Sequence, residues 1–383
     1  MSPHHDAPTN SRTTTPVLES PEPSRRGFMK TVGAGAVALG GLSATGTVAA
    51  QSSKPRLVFT YDDGYVQDYT QTFTVHNQLD APACAAIPSA NIGRSGEFLT
   101  ESQLTEMANA GWEVMSHGVH HDALGAVTLT QSVSADATKL YTDSTVLART
   151  PDEIEVFSGD KRATATISGD GEDDTGAFLK LESSLGKSFE SGAKVRFTEK
   201  VIRNVLKNSK QSLADRGVAV NNFVLPYGRY DERAISLIQE YYDSIGNVQR
   251  GGINPGAALQ PYRLSRAYFD EKRMTEEELK SFMDRVASRN ALGLLGGHSR
   301  NPALTGERIK LAIELAQERD IEIVTMTTAL QELGFVEKTA TPSATGSATP
   351  TGTASSSSSS TDGENDDSSF VGGFFDWLMS LFS

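Results

Sequence analysis

Two adjacent aspartates and a set of histidines stand where apolar runs of this chain end. The run 57–60 passes into "YDDG", which sets Asp62 beside Asp63. "GWEVM" passes into "SHGVHHD", carrying His117, His120 and His121, and "NALGLLGGH" ends on His298. An extended backbone sends neighbouring side chains to opposite sides, so Asp62 and Asp63 can take different tasks at one strand end, one holding a metal and the other handling protons. His117 and His121 are four residues apart, a spacing at which one helical turn would aim both imidazoles at a common point. Two imidazoles with Asp63 make a facial three-ligand set for zinc or a similar divalent ion, with positions open for water and substrate. Plainer readings exist: Asp-Gly after a strand is common turn chemistry, and a histidine pair in a loop can simply be exposed. Against them, three of the seven histidines fall in one short stretch, and His298 closes another apolar strand.

Gathering these groups requires strand ends that share one face. Residues 57–60 form the first expected strand, and residues 98–110 a helix with Leu104, Met107 and Ala108 at helical spacing. A second strand follows in "GWEVMSH". "VIRNVLKNSKQSLADRG" reads as a helix closed by Gly217, leading to the strand "NNFVLPYG" with its proline stop. Residues 234–242 and 276–287 are expected helices, "NALGLLGGH" a buried strand, and 306–319 a helix running to "IEIVTM". Repeated strand and helix units predict an α/β fold built on a parallel sheet or barrel, whose strand C-termini share one face. Between 151 and 198 the period changes to alternating runs, "EIEVF", "ATATIS", "AFLKLE" and "KVRFT", which predict a small inserted β subdomain.

The two ends of the 383-residue chain read differently. "SRRGFMK" precedes a mild apolar stretch closing with "TVAA", so residues 1–50 carry the parts of a twin-arginine export signal, and its glycines make a poor membrane span. The expected location is therefore secreted or cell-surface. Residues 339–369 are a Ser/Thr-rich linker that cannot bury enough apolar surface to fold. The hydrophobic segment 370–383 would reach roughly 20 Å as a helix, short of a bilayer core of roughly 30 Å, which suits surface attachment to a membrane or envelope. Formal charge is 35 − 48 = −13, with no basic patch of the kind nucleic acid needs. Cys84 is the sole cysteine, which excludes an intrachain disulfide and leaves stability to the core or a metal.

"FTYDDG", "SHGVHH", "FVLPYG" and "LLGGH", in this order, resemble the motifs of the NodB-type polysaccharide deacetylases, carbohydrate esterase family four. The resemblance spans most of residues 54–336 and implies a distorted (β/α) barrel short of the full eight units. It implies Asp62 as catalytic base, Asp63, His117 and His121 as ligands of one divalent metal ion, and His298 as general acid. It also implies an oxyanion held by the metal and the backbone N–H of Tyr227, with a polysaccharide as substrate. His120, beside a ligand, is expected outward-facing. Two positions depart from the family pattern. Gly118 stands where a hydroxyl residue commonly orients the histidine loop, and Val224 stands where an arginine often precedes the proline. "QPYRLSRAYF" offers Arg266 as the cation that would hold Asp62, with Arg263 and Arg229 behind it. The implied activity is N-deacetylation of amino sugars. Removal of O-acetyl esters, as from xylan, and a non-catalytic glycan-binding module on the same barrel are the competing readings.

Overall fold

The computed structural model describes residues 54–337. The segments read as export signal (1–50), linker (339–369) and hydrophobic terminus (370–383) lie outside the described residues. No helix among the described residues is long and apolar enough to cross a membrane.

A curled, mainly parallel sheet forms the centre. Its strands run in the spatial order Ser244–Ile245, Asn222–Phe223, Glu113–Ser116, Cys84–Ile87, Arg56–Asp62, Leu292–Gly297, Ser265–Tyr268 and Gln249–Arg250. The two outermost strands are joined by residues 246–248 alone, so the sheet must curl until its edges nearly meet. Asn247, in this joining segment, is tied to the end of the strand Asn222–Phe223, accepting from Leu225 N–H at 2.8 Å and donating to Leu225 O at 2.9 Å. This is the parallel barrel expected from the strand and helix alternation, in the distorted form that the resemblance implied.

Period-two alternation divides each strand between two cores. Leu57, Phe59 and Tyr61 pack with the helical layer, whereas Val58 joins Cys84, Ala86, Met115, Val224, Leu264, Leu292 and Leu294 in a smaller barrel interior. The helix Met326–Glu332 closes the end where the strands begin, adding Met326, Ala329 and Leu330 to that interior. Glu113, at the entry of its strand, ties this plug down. It accepts from Asn222 Nδ2 at 2.6 Å, Thr327 N–H at 2.7 Å and Thr327 Oγ1 at 3.0 Å. Glu113→Ala would strand these donors and should destabilise the fold by about 2 kcal/mol. Urea unfolding checks this: the midpoint should fall while the slope stays unchanged.

Several boundaries differ from expectation for local reasons. The strand Cys84–Ile87 lies between the first strand and Glu113–Ser116, parallel to both, and its four short residues escaped the sequence reading. The helix expected over 98–110 is Glu101–Asn109. Thr100 caps it, accepting from Gln103 N–H while Gln103 Oε1 accepts from Thr100 N–H, and Phe98 instead bridges to Tyr65. Asp231 caps the next short helix at Glu232–Ile238, earlier than 234–242. Residues 306–319 form the helix Gly306–Gln317, and "IEIVTM" supplies only Glu322–Ile323, parallel to the first strand.

The inserted sheet is larger than 151–198. It has six antiparallel strands in the order Val127–Thr128, Lys194–Phe197, Glu153–Ser158, Lys161–Asp173, Gly176–Leu181 and Lys139–Tyr141. The first and last of these precede residue 151, where runs of two and three residues carry too little alternation to read. Its buried Leu140, Ile154, Val156, Leu179, Val195 and Phe197 are continuous with the helical-layer core, so it packs on the barrel. Arg196 reinforces the junction, reaching Glu155 at 3.0 Å and Asp231 at 2.8 Å.

Candidate active site

Inward-facing positions of neighbouring strands converge at their C-terminal ends. In the first strand Val58 and Thr60 lead to Asp62, whose side chain is only 2% exposed. Arg266 points inward two residues beyond Leu264 and grips Asp62 with both arms: Nη1 to Oδ1 at 2.8 Å and Nη2 to Oδ2 at 2.6 Å. Its fork also donates to Thr60 Oγ1 at 2.8 Å and to the Tyr268 hydroxyl at 3.3 Å. Gly296 makes room, since a Cβ there would lie 2.6 Å from Arg266 Nε. Burial alone would push the Asp62 carboxyl up, but the charge and hydrogen bonds of Arg266 outweigh it and hold the pKa at about 2. Asp62 is thus an ionised, fixed carboxylate at neutral pH. Arg263 pairs with Glu232 and Arg229 with Asp143 and Ala126 O, so neither occupies the place of Arg266.

Asp63 is separated from Asp62 by a backbone turn. Strand alternation stops at Asp62, and Asp63 adopts φ 81°, in the left-handed region. Its N–H donates to Ala86 O at 2.9 Å and its carbonyl accepts from Asn91 Nδ2 at 3.0 Å, which holds the strained residue in place. The division of tasks expected from alternation alone is therefore made by this turn. Asp63 Oδ1 lies 3.6 Å from His117 Nε2 and 3.2 Å from His121 Nε2.

The histidines sit in a bent loop, and the helical turn expected from their spacing is absent. His121 has φ 66°, and its ring centroid lies 4.7 Å from that of His117. His117 continues the inward column from Met115, and its Nδ1–H donates to Val224 O at 2.7 Å. A carbonyl can only accept, so this bond fixes the tautomer and leaves the Nε2 lone pair facing Asp63. Gly118 has φ 79°, a conformation that suits glycine. The hydroxyl missing there is supplied by neighbours: Ser116 Oγ accepts from Gly118 N–H at 3.3 Å, Ser209 Oγ donates to Gly118 O at 2.8 Å, and the two hydroxyls lie 2.7 Å apart. Val224, in the place of the family's arginine, serves through its carbonyl. His120 is exposed and stands outside the ligand group.

His298 follows Leu294 and Gly296 on the inward side. Its Nε2 lies 4.0 Å from Asp62 Oδ2 and 3.8 Å from Asp63 Oδ2, and its ring stacks on Tyr268 at 5.4 Å. Tyr227, with φ 58° in the loop after the "FVLP" strand, has its ring centroid 4.4 Å from that of His121. Thr60, Tyr268, Ser116 and Ser209 were not singled out from the sequence. Only Thr60 had a signal there, being two residues from Asp62 on a strand read by its alternation; the strand that carries Tyr268 was not read. Asp68 was missed too; it is fully buried, and burial pushes its carboxyl well above the ordinary range.

The donor set fits a divalent cation. One ligand atom each from Asp63, His117 and His121 lie within 4.8 Å of one another, and Asp63 Oδ1 is buried with no hydrogen-bond partner. Burial, with His121 beside it, holds His117 at about 4, and burial with His298 nearby does the same for His121, so both imidazoles are neutral at neutral pH. Burial also raises the Asp63 carboxyl, against the pull of His298 and His117. A half-buried carboxylate facing the lone pair of His117, with the neutral imidazole of His121 beside it, is costly without a cation between them.

A family model described as polysaccharide deacetylase matches residues 49–154. YxkH, a polysaccharide deacetylase homologue of Bacillus subtilis (strain 168), is 33% identical over 96 residues, which cover 24% of this chain and 34% of that protein. The match thus spans about a third of its length. Among solved structures, the Xyl-CE4 domain of a multidomain xylanase from the hindgut metagenome of Trinervitermes trinervoides has a TM-score of 0.41 at 13% identity, covering 73% of this chain and 92% of that one. A family 4 carbohydrate esterase from Streptomyces lividans, in complex with acetate, has a TM-score of 0.38 at 10% identity, covering 70% and 90%. Over residues 49–154 the chain is thus similar to the polysaccharide deacetylases, in keeping with its ordered motifs.

Proposed function

We propose that this protein is an exported, metal-dependent deacetylase that hydrolyses N-acetyl groups of amino sugars in a surface or extracellular polysaccharide. The observation that carries the proposal is the convergence of an Arg266-clamped Asp62, the Asp63, His117 and His121 donor set, and His298. Asp63, His117 and His121 would hold one divalent ion, zinc by the character of the donors. When bound, such an ion supplies Lewis acidity, polarising the acetyl carbonyl and making water more acidic. Asp62 accepts the proton of the attacking water, whose oxygen adds to the acetyl carbon. Tyr227 N–H donates to the developing oxyanion. His298 delivers a proton to the departing nitrogen as the C–N bond breaks, leaving acetate and a free amine. The twin-arginine motif supports export, and the segment 370–383 supports attachment to a membrane surface or envelope.

Mass spectrometry of products from matched N-acetylated and O-acetylated glycans tests the substrate assignment. Loss of acetyl from the amino sugars supports it, and loss from the esters alone would move the protein to the O-acetyl esterases.

Arg266 sets the pH at which the base works. Without it, burial acts on Asp62 against only the weaker pull of His117 and His298, the pKa rises from about 2, and less of the base is ionised in mild acid. The acid limb of the kcat/KM profile should therefore move to higher pH in Arg266→Met. An unshifted limb would remove Arg266 from this role.

A further inference from the structure

The histidine loop is clamped from two sides, and one clamp lies outside the barrel. At the Gly118 end the restraints come from the barrel side, from Ser116, Ser209 and the Ser89 N–H, which donates to Gly118 O at 3.0 Å. At the His121 end they come from the inserted subdomain and, further along, from the loop after the "FVLP" strand. Arg149 spreads its guanidinium over Asp122, the residue after His121, with Nε 3.4 Å from Oδ2 and Nη2 3.5 Å from Oδ1. One residue further, Ala123 N–H donates to Val146 O at 2.9 Å, and Ala123 and Leu124 are fully buried. Gly125 then presses against Tyr230, whose backbone would lie 2.5 Å from any Cβ at that position. Arg229 closes the arrangement, with Nη1 3.4 Å from Ala126 O and 3.5 Å from Asp143 Oδ2.

His121 needs this support. Its left-handed backbone is unfavourable for a residue with a side chain, by roughly 1–2 kcal/mol, and persists only where the surroundings over-determine it. No helix or strand includes residues 117–126, so its geometry is set by what packs on it.

We infer that the inserted subdomain is a positioning element of the metal site: the Arg149–Asp122 pair and the Ala123–Val146 hydrogen bond hold His121 where its Nε2 can act as a ligand. The inference rests on the metal-site reading above. It assigns the insertion a role in metal affinity, which an insertion that only decorated the surface would leave untouched. Arg149 is a positioning residue, acting through Asp122 on a ligand it does not touch.

The test measures zinc binding to the purified full chain by chelator competition, for wild type, Arg149→Met, Asp122→Asn and the double variant. Loss of a partner that orients a metal ligand costs 10- to 100-fold in affinity; acting one residue removed, each single change should raise the zinc Kd about tenfold. The double variant should lose no more than either single one, because the two side chains act as a unit. The zinc-free melting temperature should stay near that of wild type, while the rise caused by zinc shrinks. Arg149→Lys keeps the charge without the fork and should fall between wild type and Arg149→Met; it gives the reading if Arg149→Met does not fold. Wild-type zinc affinity in the folded Arg149 variant would overturn the inference, and a raised KM on polymer alone would make Arg149 a substrate contact. Failure of the wild-type protein to bind zinc would instead overturn the metal-site reading.

Discussion

Asp62→Asn should retain its metal and lose activity on the order of 100- to 10,000-fold, the usual loss when a general base is removed. The amide keeps the shape of the carboxylate and the neighbourhood of Arg266, but it cannot accept a proton from water. Zinc content should stay at the wild-type level because Asp62 lies outside the proposed ligand set of Asp63, His117 and His121. Steady-state kinetics beside elemental analysis checks both halves. Near-normal turnover would remove Asp62 from the role of base, and loss of zinc would show that it holds the ion.

His117→Ala should fail in the opposite order, losing the metal first and activity as a consequence. It removes one of the three proposed ligands together with the hydrogen bond to Val224 O, so affinity should fall by more than the roughly 100-fold that losing an outer partner can cost. Asp62, still clamped by Arg266, should keep its low pKa, yet it would have no activated water to deprotonate. Full zinc occupancy in the purified variant, measured by elemental analysis, would contradict the assignment. The two variants together separate proton transfer from metal binding.

Most parts of the site that lie on strands were readable from the sequence. Asp62, His117 and His298 are each the last inward-facing position of an alternating run: Val58, Thr60 and Asp62; Met115 and His117; Leu294, Gly296 and His298. Arg266 came from the resemblance, since the strand Ser265–Tyr268 is too short to read. Once the parallel barrel was inferred, these columns had to end on one face. What escaped the reading depends on backbone that leaves the regular structures. The direction of Asp63 comes from a positive φ, and that of His121 from a loop with no period of its own. The Ser209 hydroxyl reaches Ser116 across 93 residues of chain, from a helix whose sequence shows only its buried stripe. The same limit hid the strand Cys84–Ile87 and the first strands of the insertion, which are too short for alternation to stand out.

The enlarged insertion also changes how its role can be probed. A deletion of 151–198 would strip Val127–Thr128 and Lys139–Tyr141 of their partner strands and expose Val127 and Leu140, so it would disturb the histidine loop along with the cleft. Point changes at Arg149 and Asp122 avoid that confusion.

Acetate release from an N-acetylated amino-sugar polymer by the purified full chain, before and after stripping with a chelator and after adding zinc back, tests the central claim most directly. The account predicts release by the metal-loaded protein, its loss on stripping, and its return with zinc in wild type but not in Asp62→Asn. Equal release with and without the chelator, at confirmed metal loss, would contradict a metal-dependent deacetylase.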